Sequence, residues 1–167
     1  CVVIGVGDNA DPQYHVDFTG RLIDFGPAGY LYHGTHVYGT VGGGGILGEQ
    51  YAGYAPRSTL IAQNFSGIIS NAPTYVNDYG MVVTNNSYGD IGGDCNYMGY
   101  YDLLSRILDL QAFAFPNLQH VFAAGNDGQL TCSPYPSSFR TVLSGYQSAK
   151  NILTVGATGR DGVVTDF

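Results

Sequence analysis

The chain has 167 residues and a net charge of −7, a length that suits one domain with no internal boundary. Charged residues make up 11% and hydrophobic ones 44%, against ~25% charged in an average globular domain, which excludes a disordered tail or a coiled coil. The six basic residues stand singly, so no basic face exists for nucleic acid or an anionic membrane, and no apolar run approaches the ~18 residues of a membrane span.

Short apolar runs bounded by Gly, Asn, Asp or Pro predict strands at Val2 to Val6, Ser58 to Ala62, Gly80 to Thr84, His120 to Ala124 and Asn151 to Gly156. Continuous runs of this kind suit parallel strands covered on both faces. Between them, helical spacing appears from His33 to Val41, from Asn71 to Tyr79, and most clearly from Met98 to Phe113, where Pro116 stops it. The Gly42 to Gly45 run ends the first of these helices. Strands interleaved with helices predict an α/β fold with a mostly parallel sheet flanked by helices, three layers in all. The 25 glycines fit its tight turns and close packing. All but one of the 13 acids are Asp, the carboxylate that favours turns and caps.

Cys95 and Cys132 both sit in polar Gly/Asp/Ser/Pro loops. The expected arrangement is a Cys95–Cys132 disulfide, worth about 3–4 kcal/mol on the loop-entropy model; two unpaired surface thiols are the alternative. A bridge would place the protein in an oxidising compartment, secreted or extracellular, with its signal segment outside this chain.

Ligands of open α/β sheets bind beyond the carboxyl ends of the strands. There the chain carries Gly7-Asp8-Asn9, Asn85-Asn86-Ser87-Tyr88-Gly89 and Gly125-Asn126-Asp127-Gly128. His33 and His36 lie three apart in Tyr32-His33-Gly34-Thr35-His36-Val37, which puts them on one side of a helix; no HExxH arrangement accompanies them and no metal ligand is assigned. His33 in the first turn is instead a candidate general base, with Asp8 available to orient it and Asp11 as a second candidate acid. Asn126 is a candidate oxyanion donor, or else a turn residue.

Val3 to Asp8, His33-Gly34-Thr35-His36-Val37 with Gly39-Thr40, Asn85-x-Ser87-x-Gly89, Ala123-Ala124-Gly125-Asn126 and Asn151-Ile152-Leu153-Thr154-Val155-Gly156-Ala157 together resemble the subtilisin-like serine peptidases, in that family's order. The resemblance implies a serine endopeptidase with Asp8 as orienting acid, His33 as base, His36 as a structural helix residue and Asn126 as oxyanion donor. It further implies that Ser87-Tyr88-Gly89 is the backbone strip that pairs with a peptide or protein substrate bound as an extended strand. No cofactor is required; structural calcium is compatible with the resemblance, its site unassigned, and Asp90 and Asp94 read equally as turn formers or ligands. The chain departs from the family pattern in two places: Asp8 precedes Asn9-Ala10 where Ser or Thr and then Gly are usual, and Tyr38 stands where Ala is common.

The sequence contains neither the family's Gly-Thr-Ser nucleophile motif nor a G-x-S-x-G elbow. The expectation is therefore the amino-terminal part of a catalytic domain, truncated before its serine and inactive by itself. Two alternatives stand beside it. One is a pseudo-peptidase that binds peptides without cleaving them. The other is a dinucleotide-binding loop, since Gly5-Val6-Gly7-Asp8-Asn9-Ala10 fits G-x-G-x-x-A and Asp24 lies about where a ribose-binding acid would. Against the latter, Asp11-Pro12 does not open a helix, and Asp8 would point negative charge at a pyrophosphate.

Overall fold

A computed structural model describes residues 2–27, 29, 32–89, 97–130 and 142–167. By its contacts the chain forms two compact units: Cys1–Ser87 with Phe115–Gln119, and Tyr88–Ala114 with His120–Phe167.

The first unit is built on four strands, β1 (Val3–Gly7), β2 (Leu22–Asp24), β3 (Thr59–Gln63) and β4 (Met81–Asn86), in the order β2-β3-β1-β4. All three pairings are parallel. Gly7 lies opposite both Gln63 and Asn86, so the carboxyl ends of β1, β3 and β4 finish level and Asp8 emerges just past them. Helix α1 (Tyr32–Gly42), α2 (Phe65–Ser70) and α3 (Ala72–Tyr79) complete the unit. Gly5 is required by packing: a Cβ there would come within 2.5 Å of Met81 Sδ and 2.7 Å of Ile68 Cδ1, the Ile68 being on α2. Ile4, Val6, Ala10, Phe18, Tyr38, Leu60 and Ala62 form a buried core, with Val37 and Val41 of α1 packed against it. Each large apolar side chain so buried contributes roughly 1.5–3 kcal/mol.

The second unit holds the parallel pair β5 (Gln119–Ala123) and β6 (Leu153–Val155), with helix α4 (Leu103–Ala114). Here Tyr146 stacks on Phe122 while Tyr88 meets both rings edge-on.

The strands expected at Val2, Ser58, Gly80, His120 and Asn151 all form, as do the helices near His33 and Asn71. One boundary is corrected. The long helix begins at Leu103 and not at Met98, because Asp102 caps it: its Oδ1 accepts the amides of Leu104 at 2.8 Å and Ser105 at 3.3 Å, and Ser105 Oγ accepts the Asp102 amide in return. Two short elements, β2 and α2, were not expected. Cys1, Cys95 and Cys132, with Asp90 and Asp94, lie outside the described residues.

Candidate active site

Asp8 follows the last residue of β1 and is fully buried. Its amide donates to Gln63 O at 3.0 Å, and Asn9 N donates to its Oδ1 at 2.8 Å. His33, the second residue of α1, turns Nδ1 between both carboxylate oxygens, 3.1 Å from Oδ1 and 3.0 Å from Oδ2. A carboxylate only accepts, so this contact assigns the neutral ring's proton to Nδ1 and leaves Nε2 as the basic nitrogen. The two groups differ in exposure, 61% for the imidazole against none for the carboxylate. One end of the pair is thus fixed by the fold and the other faces out.

Gly34 permits this approach. A Cβ at that position would lie 2.6 Å from Ala10 Cβ, 2.8 Å from Ala10 N and 2.9 Å from Asp8 Oδ1, so the first turn of α1 rests on the backbone beyond β1 with no room for a side chain. Tyr38, one turn on, is fully buried. Its hydroxyl donates to Val6 O at 3.0 Å and lies 3.4 Å from Gln63 O, and its ring meets Phe18 edge-on. Burial pushes this phenol well above its usual range. The bulky residue in the place of a small one is accommodated because it finds two backbone acceptors at the strand ends.

The other candidates separate. Asp11 accepts both the amide and the side-chain NH₂ of Gln13 within its own turn, whereas Asp8 holds His33. His15 accepts the Asp17 amide and packs on Phe18. His36 is exposed and lines a shallow cavity of about 320 Å³ with Gly39, Thr40, Tyr51, Ala52 and Tyr54. The dinucleotide alternative meets a different local structure: β1 leads into a bend and not a helix, Asp8 is engaged with His33, and Asp24 accepts the Gly26 amide in a turn. Among the described residues no group of three or more His, Cys, Asp or Glu could hold a metal ion.

In the second unit, Asn126 follows β5 and is exposed. Gly125 before it has φ +125°, and a Cβ there would come within 2.5 Å of Leu143 Cγ; both backbone conformation and packing demand glycine. The main chain here is held by Leu143 N donating to Ala124 O and Ala124 N to Val155 O. Tyr88 O accepts Gln147 Nε2 at 2.8 Å, and the same nitrogen donates to Ala123 O at 3.0 Å. Gly89 sits so close to Leu143 and Gln147 that a Cβ would approach them to 2.5 and 2.7 Å. Gln147, a buried amide in the turn before β6, was missed by sequence reasoning, as was the hydrogen-bonding role of Tyr38. Ser87, in the first unit, accepts from Asn85 Nδ2.

A family model described as the subtilase family matches residues 9–167, starting one residue past Asp8. No curated protein matches the sequence. Among solved structures, the chain is similar to the CspB protease of Clostridium perfringens, with a TM-score of 0.56 and 18% identity over 76% of this chain and 36% of that one. A cold-adapted subtilisin-like serine proteinase is also similar, with a TM-score of 0.47 and 22% identity over 76% of this chain and 47% of that one. The chain therefore spans about a third of the first protease and about half of the second. With an α/β fold of parallel strands and flanking helices, and with a family match over nearly its whole length, the chain belongs to the subtilase family.

Proposed function

We propose that this chain carries the acid, the base and the oxyanion donor of a secreted serine endopeptidase. The observation that carries the reading is the buried Asp8 carboxylate holding Nδ1 of a half-exposed His33, at the strand end and first helical turn where the family's motif stands. In this reading His33 Nε2 takes the proton of a serine hydroxyl as its oxygen attacks the scissile carbonyl. The same proton then passes to the leaving amine, and water repeats the sequence to release the acyl group. Asp8 fixes the tautomer and stabilises the imidazolium. The Asn126 side chain donates to the developing oxyanion; in subtilisin the corresponding loss costs about 10²–10³ in kcat.

The serine is not among these 167 residues, which hold no Gly-Thr-Ser, and we place it in further polypeptide. The substrate is a peptide lying extended along Ser87, Tyr88 and Gly89. Within that strip, Tyr88 O accepts from Gln147 Nε2. A Cys95–Cys132 disulfide belongs to the same reading.

The test is made on the full-length polypeptide that contains this sequence. It should hydrolyse a denatured protein substrate and take up a fluorophosphonate label. His33→Ala should abolish both, and Asp8→Asn should lower kcat by about 10⁴, as in other triads. The 167-residue chain by itself should take no label. Stoichiometric labelling of the short chain, or full activity in His33→Ala, refutes the assignment; tight peptide binding with no turnover identifies a binding module.

A further inference from the structure

We propose that the Tyr38 hydroxyl is a positioning group for the His33–Asp8 pair. The proposal rests on the reading of His33 as the base and asks what sets its geometry. Three contacts converge on the carboxyl end of β1. The Asp8 amide donates to Gln63 O at 3.0 Å. The Tyr38 hydroxyl reaches the same Gln63 O at 3.4 Å and Val6 O, two residues before Asp8, at 3.0 Å. Tyr38 and His33 belong to the same helix. The phenol thus ties the element that carries the base to the two backbone carbonyls that flank the acid.

The alternatives for this residue are weaker. A ring placed only to fill space would leave its hydroxyl toward solvent or toward a side chain, yet Tyr38 is fully buried and aims at main-chain oxygens that cannot move without moving β1 or β3. The Gly34 contact fixes how closely α1 approaches Asp8, but a contact between Cα and backbone only limits approach. It does not fix rotation of the helix about its axis. A directional hydrogen bond from Tyr38, one turn beyond Gly34, does. Among the described residues, His33 is held through Nδ1 by Asp8, its side chain being 61% exposed.

The experiment reads the His33 tautomer from the ring ¹⁵N shifts in alkaline buffer. The wild-type chain should hold its proton on Nδ1, and Asp8→Asn should shift it toward Nε2. Tyr38→Phe, which keeps the ring and removes one oxygen, should move the Nδ1-H to Nε2-H ratio toward Nε2 by about fivefold, the scale of one neutral hydrogen bond. Thr40→Val, on the same helix, removes a hydroxyl that donates to His36 O and should leave the ratio unchanged. If Tyr38→Phe does not fold, Tyr38→Ala, which places there the residue common in the family, makes the same measurement. A ratio unaltered by loss of the hydroxyl overturns the proposal while the pair itself stands. An equal shift in Thr40→Val overturns it as well, because any change in the helix would then suffice. If Asp8→Asn leaves the tautomer unchanged, the pairing of Asp8 with His33 fails and the proposal falls with it.

Discussion

His120 offers a quantitative test of the second unit. It lies in β5 with no exposed surface, and desolvation lowers its pKa from 6.5 to about 4. The folded protein therefore resists protonating it while the unfolded chain does not. Between pH 6.5 and 4 the unfolded state binds more protons, so stability is complete above about 6.5, declines as the pH falls toward 4 and levels off below that. With those two values the loss comes to about 2 kcal/mol from pH 7 to pH 5 and about 3 kcal/mol by pH 4. At this size ~2 kcal/mol corresponds to a Tm lower by about 4–8 °C. Urea unfolding should be followed at pH 7, 6 and 5 for the wild type and for His120→Gln, which cannot titrate. The other histidines are common to both proteins, so the difference in slope isolates His120. Parallel slopes would show that burial does not hold this imidazole neutral, and the packing assigned to β5 would be wrong.

Three other substitutions test local geometry. Gly34→Ala should destabilise the first unit by about 1–3 kcal/mol through overpacking against Ala10 and Asp8, and should disturb the His33 ring ¹⁵N shifts; unchanged unfolding and spectra would contradict the close approach. Gln147→Met should cost about 1–3 kcal/mol by withdrawing the donor from Tyr88 O and Ala123 O, seen as a lower urea midpoint. Asp109 accepts Lys150 N and Asn151 N at 2.9 Å, Asn151 Nδ2 at 3.0 Å and the Tyr101 hydroxyl at 2.8 Å. Desolvation opposes its ionisation, but these hydrogen bonds outweigh it and lower the pKa. Its contribution is thus present above the unfolded value near ~3.9 and is lost as the pH falls through the lower folded value. Asp109→Asn should cost about 1 kcal/mol at neutral pH, a figure reduced by solvent screening, with no further loss below pH 4 from this site; an acid-unfolding curve identical to the wild type would refute the role.

What the sequence reveals and conceals follows from where each signal resides. Strands β1 and β3 are written as runs of apolar residues because both faces are covered, and Asp8 and Asn126 stand out as polar residues just past the apolar stretches of β1 and β5. The three-residue β2 has too few positions to show a period, and the six-residue α2, Phe-Ser-Gly-Ile-Ile-Ser, reads as readily as a strand. The start of α4 was obscured by the aromatic residues ahead of it, although Asp102 with Ser105 three residues later is itself a cap signal. Tyr38 and Gln147 were missed for a common reason. Their partners are the carbonyls of Val6, Gln63, Tyr88 and Ala123, and a backbone acceptor leaves no mark on the residue that carries it.

The same pattern explains how α1 presents the His33 imidazole at its exposed end. Gly34, Tyr38 and Gly42 recur every four residues, a spacing that keeps them on one helical face, and all three are buried. Gly34 rests on Ala10 and Asp8; Tyr38 bonds the ends of β1 and β3. Gly42 packs against Leu60, whose Cδ2 would lie 3.0 Å from an added Cβ, while Arg21 donates to Gly42 O and Ser58 O, both at 2.8 Å. Asp17 closes the far end by accepting the amides of Gly45 and Ile46. The helix is thus fastened along its whole buried face and at its carboxyl terminus. Catalytic geometry tolerates errors of only about 0.5 Å, and side chains on rigid elements meet that limit better than side chains on loops. On the first turn of so constrained a helix, the His33 imidazole is fixed through Asp8, an exposed ring held by a carboxylate with no surface of its own.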